Sequence, residues 1–226
     1  MATSGTVAYR PNIEEIIDES FERCGIDAQT RTGAHAVSAR RSLNLLFSEW
    51  SNRGWNYWTV DYKTVTLVAD QATYTLDAGL VDIIDVVYRK VSGSTSTDQS
   101  MVRISISEYN QLPNKSDTGG SSQYMIDRQY TPTMTVWQVP DNATDSIRYY
   151  GIFQPDDVTK SNQDADIPYR WVDALCAGLA AKLSVKFSPD RSTGLWDLYE
   201  RAFSMASDEE GANVNLRVKP TGMNLY

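Results

Sequence analysis

Residues 43–76 read LNLLFSEWSNRGWNYWTVDYKTVTLVADQATYTL, and the spacing of the apolar residues changes within this stretch. In its first half apolar residues recur every three or four positions, which predicts a helix. In its second half they alternate with threonine and other polar residues, which predicts strands. Because the Ala69-Asp70-Gln71 link between Val65–Leu67 and Tyr74–Leu76 is short, we expect these segments to form a hairpin. The stretch therefore sets a boundary near residue 57 between a helical part and a β-rich part.

Helical spacing is present on both sides of the strands. The first helix is expected to begin at Asn12, whose side chain can form a capping box with Glu15. A second helix is predicted to end at Gly54, and two more are predicted between Pro168 and residue 208. We therefore predict an α+β fold: an antiparallel helical bundle with an inserted antiparallel β domain and an extended C-terminal arm. The predicted parts are 1–56 with 156–210 for the bundle, 57–155 for the β domain and 211–226 for the arm.

Further strands are predicted at 80–88, 102–106, 124–127, 134–139 and 146–153. The first of these is so rich in apolar residues that we expect much of both its faces to be buried. The polar stretch 92–100 is expected to be a mobile loop.

The apolar stripes of the helices give a candidate core for the bundle and for its junction with the strands. It consists of Ile16, Phe21, Leu43, Phe47, Trp50, Trp58, Leu175 and Leu179. The inward face predicted for the last helix consists of Leu195, Leu198, Tyr199, Ala202 and Met205. Cys24 and Cys176 lie in apolar helical patterns, which favours reduced core residues, although their spacing also permits a disulfide.

The charge balance argues against two classes of partner. The chain has 226 residues, with 21 Lys and Arg against 29 Asp and Glu, and a net charge of −8. Tight binding to nucleic acid depends on cations that contact phosphates, and anionic membranes also recruit cations. We therefore expect neither a specific nucleic-acid interaction nor a membrane partner. The excess of acids is equally compatible with a role in solubility alone.

The residue pattern gives no catalytic or cofactor site. His35 is the only histidine, and no pair of cysteines or histidines has zinc-ligand spacing. Asn162, Asp164 and Asp166 have the spacing of a calcium loop, but Ile167 occupies the position that requires glycine. A solvated acidic linker is the simpler interpretation, and ion binding there stays open. We predict no enzyme activity, no metal and no cofactor.

The C-terminal stretch has its own pattern. Val214, Leu216 and Val218 alternate with Asn215, Arg217 and Lys219, which predicts an extended arm with one apolar face. Met223, Leu225 and Tyr226 are the further apolar candidate residues of this arm. Such an arm can pack on its own domain or add to the surface of a partner.

Several segments, in their order along the chain, resemble the head-to-tail adaptor proteins of short-tailed bacteriophages, also called tail tubular or head-completion proteins. The segments are Ala39–Gly54, Val65–Leu76, Val136–Asp141, Ile167-Pro168 and Leu175–Leu183. Gln138 stands where this family usually has proline. The resemblance covers residues 36–187.

The resemblance implies a structural virion protein at the head–tail junction, present in the host cytoplasm during assembly. About twelve copies would form a ring through which DNA passes without specific binding. The C-terminal arm would contact the portal protein, and the β domain would contact the tail nozzle protein. Two other classes stay open: a carbohydrate- or receptor-binding tail module, and a virion peptidoglycan hydrolase with paired carboxylates.

Overall fold

The computed structural model describes residues 9–54, 57–160 and 162–210. These residues form two compact units. The helical unit takes the described residues up to Ser42 and those from Pro168 onward, and the β-rich unit is Leu43–Ile167. Five α-helices and two four-stranded sheets lie within the described residues, which confirms the predicted α+β fold.

The helices are α1 (Ile13–Arg23), α2 (Gly33–Arg53), α3 (Ile106–Gln111), α4 (Val172–Phe187) and α5 (Ser192–Glu210). The predicted capping box at the start of α1 is present. The Asn12 side chain accepts a hydrogen bond from the Glu15 amide at 2.9 Å, and Glu15 accepts one from the Asn12 amide at 3.0 Å. Gly25 follows the end of α1 with a φ of 76°, a conformation that glycine adopts without steric cost.

Helix α4 is the centre of the helical unit. It is rich in alanine and is buried on most sides, so α1 and α5 can pack closely against it. Two hydrogen bonds show how close α1 lies: Ser20 donates to the Cys176 carbonyl at 3.1 Å, and the Cys24 thiol donates to the Ala180 carbonyl at 3.3 Å. Both cysteines are buried and free, which confirms the prediction of reduced core residues.

The predicted inward face of α5 is partly wrong. Leu198 and Met205 are 50% and 69% exposed, whereas Phe203 and Ala206 are buried together with Leu195 and Tyr199. The observed stripe steps by four, four and three residues, as 3.6 residues per turn require. The predicted stripe drifted off the buried face because its steps of three residues, from Tyr199 to Ala202 and from Ala202 to Met205, are shorter than a helical turn.

The strands are β1 (Val60–Thr66), β2 (Thr73–Thr75), β3 (Leu80–Ser92), β4 (Thr95–Ser100), β5 (Val102–Arg103), β6 (Gln123–Asp127), β7 (Thr133–Trp137) and β8 (Ser146–Phe153). The first sheet has the order β1-β8-β3-β4, and the second has the order β2-β7-β6-β5. All neighbouring strands are antiparallel except β5 and β6, which are parallel.

The predicted hairpin between β1 and β2 is wrong. β1 pairs with β8, and β2 pairs with β7 in the other sheet. The link between them passes from one sheet to the other, and the Tyr74 hydroxyl closes it by donating to the Gln71 carbonyl at 2.8 Å. The two sheets pack face to face around one core. β1 and β2 belong to different sheets, so each contributes apolar side chains to this core from an opposite side. The members of that core are Leu67, Tyr74, Leu76, Ile83, Val86, Tyr88, Met101, Tyr124, Met134, Val136, Ile147 and Tyr149.

Three further expectations for the β part need correction. Within the stretch 92–100, Ser92 ends β3, and Thr95–Ser100 form β4, which pairs with β3 after a turn at Gly93 with a φ of 60°. β3 is buried on one face only, because Ile84 is 55% exposed. The strand predicted at 102–106 is shorter, because Ser105 caps α3 through a capping box with Glu108.

The polar stretch after α3 is attached to the end of β7. The indole of Trp137 donates to the Asn114 carbonyl at 2.8 Å, and the Gln138 amide group donates to Asp117 at 2.7 Å. The Ser121 hydroxyl donates to the Gln138 carbonyl at 2.6 Å. The peptide bond between Trp137 and Gln138 is cis.

A carboxylate is buried inside the β-rich unit. Asp145 is only 2% exposed and accepts hydrogen bonds from the Tyr88 hydroxyl at 2.5 Å, the Val91 amide at 2.7 Å and the Asn142 side chain at 3.0 Å. Burial alone would raise the pKa of this carboxyl, but these donors outweigh the burial and the pKa is lowered. Asp145 is therefore a charged group that holds β3 to the turn before β8.

Candidate interaction surfaces

The outward face of the first sheet carries an aromatic patch, formed by Tyr62, Arg148 and Tyr150. Tyr62 and Tyr150 are directly opposite each other in β1 and β8, and their ring centroids are 5.0 Å apart. They are 41% and 49% exposed. The Arg148 guanidinium lies 5.9 Å from the Tyr62 ring centroid, within the range of a cation–π contact. Its Nε is buried and has no hydrogen-bond partner among the described residues.

The alternation of β8 explains why this patch faces outward. Ile147 and Tyr149 point into the core, so Arg148 and Tyr150 point away from it. Burial raises the pKa of Tyr149 to about 12, because a phenolate would be desolvated in the core. Of the neighbouring residues Tyr149 and Tyr150, only Tyr150 is exposed and available to a partner. Tyrosine and arginine are enriched where proteins associate.

Ion pairs connect β3 to its neighbours near both of its ends. Arg89 pairs with Asp98 across the β3–β4 hairpin, and this pairing lowers the pKa of Asp98. Asp82 pairs with Arg103 at 2.9 Å and with Arg128. Burial opposes the ionisation of Asp82, but the Ile83 amide and the two guanidinium groups lower its pKa overall. Because Arg103 lies in the second sheet, Asp82 connects the two sheets.

A cleft of about 580 Å³ lies within the β-rich unit, beside the ends of β1 and β8. Its lining includes Trp58, Lys63, Phe153 and the four carboxylates of Asp61, Asp77, Asp156 and Asp166. Lys63 pairs with Asp61 at 2.7 Å, and its ammonium lies 5.3 Å from the Phe153 ring centroid. The hydrogen bond from Lys63 lowers the pKa of Asp61.

The direction of the carboxyl shifts bears on catalysis. The resolved shifts, at Asp61, Asp82, Asp98, Glu108 and Asp145, all lower the pKa. A glycosidase-type general acid needs a carboxyl whose pKa is raised. These carboxylates are suited to ion pairs and hydrogen bonds rather than to proton donation.

The helical unit has an acidic cleft of about 600 Å³ between the start of the described chain, α1 and the start of α4. It is lined by the carboxylates of Glu15, Asp18, Glu19, Glu22 and Asp173, together with the two exposed rings of Tyr9 and Tyr169. Arg23 pairs with both Glu19 and Asp173 at 2.8 Å. We call this feature the acidic cleft.

The same unit has a basic face, which we define by Val37, Arg41, Lys182, Val185 and Lys186. The Lys186 ammonium donates to the Ser38 and Ser42 hydroxyls at 3.2 and 2.6 Å, which joins α4 to the first half of α2. Desolvation lowers the pKa of Lys186, and the nearby charges of Arg41 and Lys182 lower it further. Val37 and Val185 are large apolar residues exposed on these helices.

The predicted core residues have the following positions. Ile16, Phe21, Leu43, Phe47, Trp50, Leu175 and Leu179 are buried, and Trp58 is half-buried. The Trp50 and Trp58 rings meet edge to face at 6.3 Å. The predicted arm residues Val214, Leu216, Val218, Met223, Leu225 and Tyr226 lie outside the described residues, so the arm stays a prediction.

His35 has a packing role. It is half-buried, and its ring lies edge to face against Phe187 at 4.8 Å. Its Nδ1 accepts a hydrogen bond from the Thr32 amide at 3.1 Å, next to the start of α2. In the described part of the chain, no three His, Cys, Asp or Glu residues lie together as metal ligands. None of the described helices has the length and apolarity needed to cross a membrane.

The Tyr62–Tyr150 pair was missed by sequence reasoning. The two residues are 88 positions apart, and they meet only because β1 pairs with β8. The alternation within each strand marks them as outward-facing, but no local pattern indicates that these two strands are neighbours.

Comparison with known proteins identifies the family. The family model described as SU10 adaptor protein matches residues 12–219, which include most of both units. No curated protein sequence gives a significant match. The chain therefore belongs to the SU10 adaptor protein family: it is a phage adaptor protein, a structural component of the virion.

Proposed function

We propose that this adaptor forms a ring of about twelve copies under the portal, joins the DNA-filled head to the tail nozzle and lines the DNA exit channel. The observation that carries the proposal is the family match, which runs from residue 12 to residue 219 and is not confined to one motif. The surfaces and the charge described above support it.

A ring needs side-by-side contacts between different faces of neighbouring copies. The aromatic patch is a suitable contact because it presents two tyrosines and an arginine on a rigid sheet. In this proposal the β-rich unit also contacts the tail nozzle protein.

The net charge supports a channel that does not retain DNA. Each copy carries a charge of −8, so a ring of about twelve carries roughly a hundred excess negative charges. A lumen of the same sign as the phosphates repels DNA, which favours free passage over binding.

Electron microscopy of the full-length protein mixed with DNA-filled capsids tests the proposal. We expect a ring of added density below the portal. A variant with Tyr62→Ala and Tyr150→Ala should bind in fewer copies or not form a closed ring. Tyr130→Ala is the matched control, because Tyr130 is 96% exposed and has no place in the patch. Filled capsids without added density at saturating protein would contradict the proposal.

A carbohydrate-binding or receptor-binding module is the second candidate. The aromatic patch favours it, because stacked rings beside polar groups are a common surface for sugars. The two rings are tilted by 49°, so they do not form one flat platform. Glycan-array binding that is lost in the Tyr150→Ala variant would support this candidate, and the absence of binding would remove it.

A further inference from the structure

The helical unit presents two faces of opposite charge, and each contains charged side chains that have no oppositely charged partner among the described residues. In the acidic cleft, Glu19, Asp173 and Asp18 are paired with arginines of the same unit. Glu15 and Glu22 in the same cleft lack a cationic partner among the described residues. Arg41 and Lys186 of the basic face likewise lack an acidic partner among these residues. These charges are therefore available to a second molecule.

Each face also contains exposed apolar or aromatic surface. Tyr9 and Tyr169 border the acidic cleft, and Val37 and Val185 belong to the basic face. Val37 precedes Arg41 by four residues in α2, so the two side chains lie on the same side of the helix. Lys182, Val185 and Lys186 are likewise three or four residues apart in α4. A combination of apolar side chains with charges around them is typical of protein interfaces.

We propose that the acidic cleft of one copy docks onto the basic face of a second copy of this chain. The inference rests on the proposed function, since a ring requires each copy to present two different, complementary faces. Opposite charges orient the two copies and suppress the wrong pairing of like faces. The partner is thus a second copy, recognised by lysine and arginine side chains entering a cleft rich in carboxylates.

Paired charge reversals test this inference. The first variant carries Glu19→Lys and Glu22→Lys, which makes the cleft basic. The second carries Arg41→Glu and Lys186→Glu, which makes the basic face acidic. Each variant presents two faces of the same sign, so each should self-associate at least about tenfold more weakly than the wild type in sedimentation velocity. An equimolar mixture should recover association, because every cleft then meets a face of opposite charge.

Zero-length carbodiimide cross-linking locates the contact. We expect cross-links between Glu19 or Glu22 of one copy and Lys182 or Lys186 of another, in a mixture of isotopically light and heavy wild-type chains. The control variant carries Asp208→Lys and Glu209→Lys, an equal charge change on exposed residues outside both faces. It should associate like the wild type. Thermal melting by circular dichroism confirms that each variant is folded.

The outcomes separate this inference from the proposed function. If a ring forms on capsids but the mixture of variants recovers nothing, or no cross-link joins the two faces, the inference is wrong and the ring stands. If the wild type adds no density to capsids, the proposed function itself fails.

Residues 211–226 contain Arg217 and Lys219, which could also enter the cleft. If the cross-links no longer depend on the charges of the two faces once that segment is deleted, the segment occupies the cleft and the inference is wrong.

Discussion

At the scale of single residues, Asp145 is a buried polar position on which the stability of the β-rich unit depends. Its carboxylate accepts three hydrogen bonds in an almost fully buried site. Asp145→Asn should lower the free energy of unfolding by about 2–3 kcal/mol, because an amide replaces the charged acceptor beside the Val91 amide and the Tyr88 hydroxyl. Urea unfolding measures the change. Asp141→Asn, at an exposed neighbour, should stay within about 0.5 kcal/mol of the wild type.

The same carboxyl predicts a pH dependence of stability. The folded-state pKa values of Asp145 and Asp82 are lower than those of the unfolded chain. Their contribution to stability is therefore fully present above the unfolded-state pKa of about 4. It is lost as the pH falls through the lower pKa values that the two carboxyls have in the folded state. In urea unfolding between pH 6 and pH 3, the Asp145→Asn variant should lose less stability than the wild type. Parallel losses in the two proteins would show that Asp145 is not part of the cause.

Trp50 is the corresponding apolar position. Its side chain is fully buried and contacts the rings of Phe47 and Trp58. Trp50→Ala should destabilise the protein by about 3–5 kcal/mol, because it removes a large buried side chain and leaves a cavity. An unchanged melting temperature would contradict the buried position. Leu45→Ala, on the exposed side of the same helix, is the control and should cost little.

At the scale of elements, the end of α1 depends on Gly25. Its φ of 76° disfavours any side chain, and an added Cβ would lie 2.6 Å from the Arg191 guanidinium. Gly25→Ala should cost about 1 kcal/mol or more in a thermal or urea melt. Gly33→Ala is a matched control, because an added Cβ meets no atom within 4 Å at the start of α2. Equal stability of the two variants would refute the role assigned to Gly25.

The elements also show how much of the fold is encoded locally. The capping box at Asn12, the end of α2 near Gly54 and the strands 124–127 and 146–153 follow from nearby residues, and they were predicted correctly. Ser105 with Glu108 carries the same local capping signal, but the alternating apolar residues around it favoured a strand. The pairing of β1 with β8 joins residues about 90 positions apart, so no window of sequence contains it. The aromatic patch depends on this pairing, which is why it could be identified only from the structure.

At the scale of the whole molecule, the segment after α5 is expected to matter for docking and not for folding. Deletion of residues 211–226 should leave the melting temperature of the protein unchanged and abolish its binding to the portal, if the arm makes that contact as proposed. Co-sedimentation with filled capsids measures binding, and circular dichroism measures folding. Full-strength capsid binding by the folded, truncated protein would refute the role of the arm.

The position of β8 has a consequence for biosynthesis. β8 lies between β1 and β3, so the first sheet lacks a central strand until the ribosome has released residues 146–153. A nascent chain that stops before this point exposes the unpaired edges of two long strands, which can recruit strands of other chains. Completion of the β-rich unit must therefore wait for nearly three quarters of the polypeptide to be translated, and premature termination inside it should yield insoluble fragments.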